Sequence, residues 1–492
     1  MNRERFAWIT SVVLVALLAF QLPGTLAHRD DDYAFVGTLM TVHRHLVDNY
    51  AEPVDEEKLR KGAIDGMLGQ LDPYTVYVPP AEQEKFERLL QGSYKGVGIQ
   101  LDQNEQTKEI EVVTPIEESP AHRAGVLAGD VILKVNGEDI RNLKIEEVMA
   151  KVKGPVGSEV RITVRHTTGE EAELTMTRQE IVMPTVKGYR RNEDNSWDYF
   201  VNADPRVGYV RVTQFTPETT TKLRAAVEKL LAEGMKGLIL DLRFNPGGRL
   251  DQAEEVVDLF LDQGTVVVTR GRNRPEKVTQ ATGPGTLPPF PMVVLINEHS
   301  ASASEIVAGS LMDNRRALVL GTRSYGKGSV QEVVDLDRGG ELKVTVGYYY
   351  LPSGRLVHRK KDAADWGVEP QIIVPMDEAT QQWLYRNQTE TEYFRKPKVQ
   401  GSTTAPTTRA AAAPATGPSR PPGTALDQPP PPATRPAGTQ PTTGPATQPA
   451  EPTDAQLDAA ISTMIGHIVL AGERKVAAGG APDRSASQPA RE

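Results

Sequence analysis

Between Gly208 and Val374, short apolar strands alternate with helical stretches, and this alternation constrains the fold more than any other feature of the sequence. The pattern starts with a strand at 208–212, continues with a helix that Gly234 ends, and returns to a strand at 238–243. Strands that recur between helices favour a parallel sheet covered by helices. We therefore predict a mixed α/β fold whose core is a mostly parallel sheet with flanking helices.

The segments on either side of this α/β region have different patterns. Apolar residues at helical spacing favour helices before Asp72-Pro73, and turn signals such as Asn136-Gly137 separate short strands further along. Residues 401–450 are dominated by Pro, Ala and Thr, which predicts disorder because the stretch has almost nothing to bury. The predicted organisation is an export segment at 1–27, an N-terminal helical segment at 33–83, a small β-rich domain at 84–183, the α/β core at 184–395, a disordered linker at 396–453, a C-terminal helix at 454–470 and a disordered tail at 471–492.

The first 27 residues have the layout of a secretory signal. Arg3 and Arg5 precede an apolar run at 6–22, and the small residues Thr25 and Ala27 follow it. The run is close to the length of about 20 residues that spans a bilayer, so a cleaved signal and a retained membrane anchor both stay open. Either interpretation predicts an extracytoplasmic chain, in the periplasm or the cell envelope.

Charge and cysteine content narrow the classes of function. The chain has 56 Lys and Arg against 65 Asp and Glu, a net charge of −9, which argues against nucleic acid as a partner. The absence of cysteine rules out disulfides, thiolate metal sites and a cysteine nucleophile. The histidines lack ligand spacing, so we predict no metal site.

Three polar loops follow predicted strands of the α/β region. They lie at 245–248, 300–305 and 326–329. Loops that follow parallel strands emerge at one edge of the sheet, where ligands bind in open α/β folds. Because one helix and one strand join the second loop to the third, we predict that Ser302 and Lys327 lie close together.

This pair suggests nucleophilic catalysis. A serine hydroxyl needs a base to accept its proton, and Lys327 is the nearest candidate. The amine must be neutral, which requires lowering a lysine pKa from about 10.4 toward 7, and burial acts in that direction. Backbone N–H groups of Gly247, Gly248 and Ala303 are candidate donors to an oxyanion.

Three motifs resemble those of the carboxyl-terminal processing peptidases, serine proteases of the S41 class. They are DLRFNPGG, NEHSASASEIVAGSL and YGKGSVQ, which occur in this order within a resemblance that spans most of 35–375. The resemblance implies a serine endopeptidase that forms an acyl-enzyme and needs no cofactor. It implies Ser302 as the nucleophile, Lys327 as the general base and Gln331 as the residue that orients the lysine, with the oxyanion hole formed by Ala303, Gly247 and Gly248.

The β-rich domain resembles the PDZ domain that this family carries. The resemblance assigns binding of a substrate C-terminus to the loop Gly96, Val97, Gly98 and Ile99, because consecutive N–H groups capture a carboxylate and a free strand edge pairs with a peptide. An ordinary β-turn is the other interpretation of this loop. The implied partners are unfolded or flexible proteins with free C-termini. The helices at 33–75 and 454–470 are candidate surfaces for a homo-oligomer.

Three other interpretations stay open. His299 lies near Ser302 and suggests a Ser-His-Asp triad, although the chain lacks the G-x-S-x-G elbow. The spacing from Gly321 to Lys327 matches the phosphate loop of a nucleotide hydrolase, but Gly328 occupies the position of the magnesium-binding hydroxyl. A catalytically inert PDZ scaffold that binds C-termini is the third.

Overall fold

The computed structural model describes residues 36–83, 86, 92–337, 339–394 and 452–479, with side chains to 470. The chain divides into two compact units, Met1–Tyr77 and Val78–Glu492. The predicted export segment and nearly all of the predicted linker lie outside the described residues. Among the helices that the structure does describe, none combines the length and the apolar character needed to cross a membrane.

The first unit contains two helices, α1 at 36–49 and α2 at Glu56–Leu68. Helix α2 starts at Asp55, whose carboxylate accepts a hydrogen bond from the Lys58 N–H at 3.1 Å. This N-cap satisfies a backbone donor that the first turn leaves open. Strand β1, Val76–Val78, lies where the two units meet in the sequence.

The second unit begins with helix α3, described at 80–83, and a β-rich domain. The elements of this domain are β2 Ser93–Gly96, β3 Ile99–Gln103, β4 Ile110–Pro115, α4 Pro120–Ala124, β5 Val131–Val135, β6 Glu138–Asp139, α5 Ile145–Val152, β7 Glu159–Arg165, β8 Glu171–Thr177 and β9 Gln179–Val182. Strands β3, β4, β5, β7 and β8 form an antiparallel sheet in that order, so β3 is an edge strand, and β6 pairs with β5. Alternate residues of β7 are buried because one face of the sheet packs on the domain core.

A central sheet forms the core of the second unit. Its elements and covering helices are β10 Val186–Lys187, β13 Phe200–Ala203, β14 Arg206–Val212, α6 Thr219–Ala232, β15 Gly237–Asp241, α7 Leu250–Asp258, β18 Met292–Ile296, α8 Ala303–Asp313, β19 Leu318–Gly321 and β22 Ile372–Ile373. Strands β14, β15, β18, β19 and β22 are parallel neighbours, while β10 and β13 pair with β14 in the antiparallel sense. Every residue of β15 and β18 is buried, as expected for a parallel sheet covered on both faces. The prediction of a mixed α/β fold with a mostly parallel central sheet is confirmed.

A second sheet of the core is antiparallel, and the sequence analysis did not predict it. It contains β16 Thr265–Gly271, β17 Arg274–Gln280, β20 Ser329–Asp335 and β21 Glu341–Tyr350. Outside this sheet, β11 Arg190–Arg191 and β12 Trp197–Asp198 form a separate antiparallel hairpin. Antiparallel pairs therefore outnumber parallel pairs among the described strands, and the expectation of mostly parallel strands holds for the central sheet alone. The reason is local: only a few residues of sequence separate β16 from β17 and β20 from β21, too few for a crossover helix.

Two further helices complete the second unit, α9 Glu378–Glu392 and α10 Ala455–Gly479. Helix α10 packs its apolar side on the central sheet, where Met464 is fully buried. A Cβ built at Gly237 would lie 2.3 Å from the Met464 sulfur, so glycine allows this close approach. The helix continues beyond the predicted end at 470, because residues 471–479 are rich in helix-forming Ala, Glu, Arg and Lys even though the apolar periodicity has stopped.

Candidate active site

The serine loop and the lysine loop lie side by side at the carboxyl edge of the central sheet. Strands β18 and β19 are parallel neighbours, with Ile296 opposite Gly321, and α8 connects them. Ser302 is the N-cap residue of α8, and Lys327 follows β19. The Tyr325 N–H donates to the Ser300 carbonyl at 3.0 Å. The predicted βαβ unit is therefore present, and it brings the two loops together.

The backbone of Ser302 is strained. Its φ is 56° and its ψ is −115°, a combination that residues with a side chain rarely adopt. Such a conformation persists only where neighbouring contacts hold it, and it is most often found at functional sites. Here the Ser302 N–H donates to Glu305 Oε2 at 2.8 Å, and the Ser302 carbonyl accepts from the Glu305 N–H at 2.9 Å.

Glu305, which is not among the predicted site residues, joins the serine loop to the lysine loop. Its Oε2 accepts the N–H groups of Ser302 and Lys327, both at 2.8 Å. Its Oε1 accepts the Gly326 N–H at 2.7 Å and the Ser324 hydroxyl at 2.5 Å. Burial raises the pKa of the fully buried Glu305 carboxyl to about 7, while these four hydrogen bonds act in the opposite direction. The spacing from Ser302 to Glu305 is that of a capping box, which is the signal that could have identified it.

The turn at 245–248 packs directly against the nucleophile loop. A Cβ built at Gly247, where φ is 105°, would lie 2.8 Å from the Ser302 Cβ and 3.0 Å from the Ala303 nitrogen. The Gly247 N–H donates to Asn245 Oδ1 at 2.9 Å, so this predicted oxyanion donor already has an acceptor. The other predicted donors are Ala303, at the start of α8, and Gly248, where a Cβ would lie 2.2 Å from the Phe215 oxygen.

Asn245, which is also not among the predicted site residues, orders this turn. It is fully buried, and its Nδ2 donates to the Val212 carbonyl at 2.8 Å. The main-chain carbonyl of Asn245 accepts the Ala301 N–H at 3.0 Å and the Ser304 hydroxyl at 2.9 Å. Ser304 lies inside the first turn of α8 and ties the serine loop to Asn245.

Lys327 is nearly buried, with 8% of its surface exposed. Its carbonyl accepts the hydroxyl of Tyr349 on the neighbouring antiparallel sheet. Gln331, predicted to orient the lysine, lies further along β20, and its Nε2 donates to Ser329 Oγ at 2.7 Å and to Thr345 Oγ1 at 3.4 Å. The structure thus brings together Ser302, Ala303, Gly247 and the lysine loop, and it places Gln331 on the strand that leaves this loop.

A buried charge network lies beneath the Asn245 turn. Arg243 is fully buried between Asp241 and Asp454, and it donates to both Asp454 oxygens at 2.7 and 2.8 Å. Although burial acts in the other direction, the Arg243 guanidinium holds the pKa of the Asp241 carboxyl below its usual value. The network links the start of α10 to the strand that leads into the Asn245 turn.

The structure also bears on the alternative interpretations that rest on His299, on a phosphate loop and on a metal site. The His299 ring stacks on Phe244 with centroids 5.6 Å apart. The phosphate-loop interpretation is wrong, because strand β20 follows Lys327 where a phosphate loop requires a helix. Within the described ranges, no group of His, Asp or Glu is arranged to hold a metal ion.

The predicted loop for a substrate C-terminus connects β2 to the edge strand β3. Gly96 ends β2, Ile99 starts β3, and Val97 is buried between them. The Val97 carbonyl accepts the Ala121 N–H at 2.9 Å, and the Gly98 carbonyl accepts the Ile116 N–H at 2.8 Å. Gly98 has a φ of 80°, and a Cβ there would lie 2.2 Å from the Ser119 Cβ, so the turn requires glycine.

Comparison with known proteins gives three family matches. The model of peptidase family S41 matches residues 206–374, a PDZ domain model matches 111–166, and the model of the N-terminal domain of the activating protease CtpB matches 29–81.

Relatives match over most of their own length. The carboxy-terminal-processing protease of Bartonella bacilliformis is 35% identical over 381 residues, which cover 76% of this chain and 83% of the relative. The carboxy-terminal processing protease CtpA of Bacillus subtilis is 32% identical over 371 residues, which cover 74% of this chain and 75% of the relative. A solved structure titled photosystem II D1 C-terminal processing protease is 29% identical, with a TM-score of 0.40, and covers 68% of this chain and 86% of that one. With its PDZ domain and its S41 core, the chain belongs to the carboxy-terminal processing proteases of peptidase family S41, which are serine-type peptidases.

Proposed function

We propose that the chain is an endopeptidase that cleaves protein substrates through a Ser302 and Lys327 dyad. The Ser302 Oγ attacks the scissile carbonyl carbon while its proton moves to the neutral Lys327 Nζ. The oxyanion accepts hydrogen bonds from the N–H groups of Ala303 and Gly248. The C–N bond then breaks as Lys327 returns the proton to the leaving amine. Lys327 then takes a proton from water as the water oxygen attacks the acyl carbon, and the ester bond to Ser302 breaks as Lys327 returns this proton to the Ser302 Oγ.

The observation that carries this proposal is the shared carboxylate of Glu305. One oxygen accepts the N–H groups of both Ser302 and Lys327 at 2.8 Å, so the two residues keep a fixed relation. The strained Ser302 backbone and the removal of Lys327 from water fit the same roles, because burial disfavours the charged form of an amine. In this mechanism Gln331 orients Lys327 through the residues that join them at the start of β20. Gly247 allows its turn to pack closely against Ser302 and so shapes the oxyanion site.

The PDZ domain selects the substrate in this proposal. The free edge of β3 adds the substrate chain as a further strand, and the N–H groups at Gly96, Val97, Gly98 and Ile99 bind its terminal carboxylate. The substrates are then unfolded or flexible proteins with a free C-terminus. An extracytoplasmic location, with membrane attachment through 6–22 or a self-associated form, belongs to the same proposal and rests on the sequence alone.

Cleavage of one unfolded substrate, prepared with a free and with an amidated C-terminus, tests the mechanism and the recognition separately. The wild-type chain should cleave the free form faster, and Ser302→Ala should cleave neither form. Ser353→Ala is the matched control, because it removes an exposed serine hydroxyl outside the three loops of the site and should retain cleavage. Cleavage by Ser302→Ala would rule out the dyad, and no cleavage by the wild-type chain would favour the inert scaffold. Equal rates on the two substrate forms would rule out recognition of the C-terminus.

A further inference from the structure

Two exposed cations lie beside the lysine loop, and we call them the cationic rim: Arg359 and Lys360. The Arg359 N–H donates to the Gly326 carbonyl at 2.8 Å. A Cβ built at Gly328 would lie 2.4 Å from the backbone nitrogen of His358. The chain that carries the rim therefore contacts both sequence neighbours of Lys327.

Aromatic rings hold both rim cations in place. The Arg359 guanidinium lies 4.4 Å from the centroid of Trp366, whose ring also packs against Gly326. The Lys360 Nζ lies 5.6 Å from the centroid of Tyr348, which is paired with Ser329 across β20 and β21. An aromatic face attracts a cation without neutralising it. The charges are therefore fixed next to the lysine loop and remain able to bind an anion.

The carboxylates around the rim are engaged with other cations. Asp365 pairs with Arg355 at 3.2 Å, and Glu369 contacts Arg323. In the part of the chain that the structure describes, no carboxylate lies within ion-pair distance of a rim cation. In the sequence Lys361 follows the rim and precedes Asp362, so this segment keeps a positive charge in a chain whose net charge is −9.

We infer that the cationic rim selects substrates with an acidic side chain close to the scissile bond, an inference that rests on the proposed function. The chain that carries the rim contacts Gly326 and Gly328, so the side chains of a bound peptide that come nearest to the rim are those close to the bond held beside Lys327. A carboxylate at that place pairs with cations whose positions are already fixed, which reduces the ordering cost of binding. The rim thus adds a charge preference near the cleaved bond, separate from recognition of the terminal carboxylate.

Peptides that differ only in charge test this preference. One peptide with a free C-terminus is cleaved, and mass spectrometry identifies the bond. Each of the nearest residues on either side is then replaced in turn by Glu or by the isosteric Gln, and kcat/KM is compared within each pair. Two exposed ion pairs predict a Glu over Gln preference of about fivefold at one position or more. The preference should fall toward one as the ionic strength rises from about 0.05 to about 0.5 M.

Variants assign the preference to the rim. The double variant Arg359→Gln and Lys360→Gln should bring the ratio to about one, and the double variant with Glu at both positions should invert it. Lys236→Glu is the matched control, because this exposed lysine precedes β15 at the opposite edge of the central sheet. Each ratio is measured within one variant, so a partial loss of folded protein cancels.

Every outcome decides the inference. Efficient cleavage of the Gln peptides with no Glu preference at any position overturns it and leaves the proposed function intact. No cleavage of any peptide by the wild-type chain overturns both. A Glu preference that survives in the double variants assigns it to other residues. Binding to anionic lipid vesicles that depends on Arg359 and Lys360, without a Glu preference, assigns the rim to a membrane surface instead.

Discussion

The carboxyl group of Glu305 is fully buried, so replacing it by an amide should change how the stability of the protein depends on pH. Glu305→Gln keeps the size of the side chain and removes its charge. With its carbonyl at the Oε2 position, the glutamine still accepts from Ser302 and Lys327, and its NH2 group can donate to the Ser324 hydroxyl. The Gly326 N–H then loses its acceptor. A glutamine at this position therefore resembles the protonated form of Glu305.

The pKa of Glu305 fixes the size and the sign of the effect. Burial raises this pKa from 4.5 to about 7, so the folded state holds a proton that the unfolded state has lost between these values. Stability from this group is present below pH 4.5 and is lost as the pH rises through about 7. Each pKa unit corresponds to about 1.36 kcal/mol, so the wild-type chain loses roughly 3 kcal/mol that the glutamine variant keeps.

Urea denaturation of both chains at pH 5 and at pH 8.5 measures this difference. The free energy of unfolding of Glu305→Gln, relative to wild type, should rise by roughly 3 kcal/mol between the two pH values. Glu298→Gln is the control, because it removes a half-buried carboxylate that accepts from Thr322 in the same region. Peptide cleavage should nevertheless fall in Glu305→Gln, since the Gly326 contact that positions the lysine loop is lost. A relative stability that stays constant with pH would refute the raised pKa and the burial that explains it.

Three further substitutions test the turn at Gly247, the buried charge network at Arg243 and the peptide-binding loop at Gly98. Gly247→Ala should lower kcat for peptide cleavage about 100-fold, because the added Cβ would press on Ser302. The control Gly234→Ala should retain activity in the same assay, because Gly234 also has a positive φ but faces open space. Asp454→Ala should lower the free energy of unfolding in urea by about 3 kcal/mol, because it removes one partner of the buried Arg243. The control Asp458→Ala, at an exposed position, should lower it by less than about 1 kcal/mol. Gly98→Ala should weaken binding of a free C-terminal peptide about tenfold in a fluorescence titration and leave the weak binding of the amidated peptide unchanged.

Local patterns were sufficient to predict the central sheet and the approach of the two loops. Strand and helix signals between Gly208 and Val374 predicted the parallel neighbours β18 and β19, and the connection through α8 then placed Ser302 near the lysine loop. Such predictions succeed because sequence-adjacent elements of a βαβ unit pack together by rule.

Contacts between distant segments could not be predicted in this way. The β16 strand pairs with β21, far along the chain, and no local signal fixes that register. Glu305 became visible as a site residue only once the lysine loop had folded onto its carboxylate, since a capping box alone has a purely structural explanation. The ion pair between Arg243 and Asp454 could not be predicted from local patterns either, because the two residues are far apart in the sequence.

The most direct test of the dyad is the rate at which a serine-reactive fluorophosphonate labels the protein, with the labelled residue mapped by mass spectrometry. We expect one adduct, on Ser302, and a labelling rate that falls at least about 100-fold in Lys327→Met, because no neighbouring amine then accepts the proton. An adduct on a different serine, or an unchanged labelling rate in Lys327→Met, would contradict it.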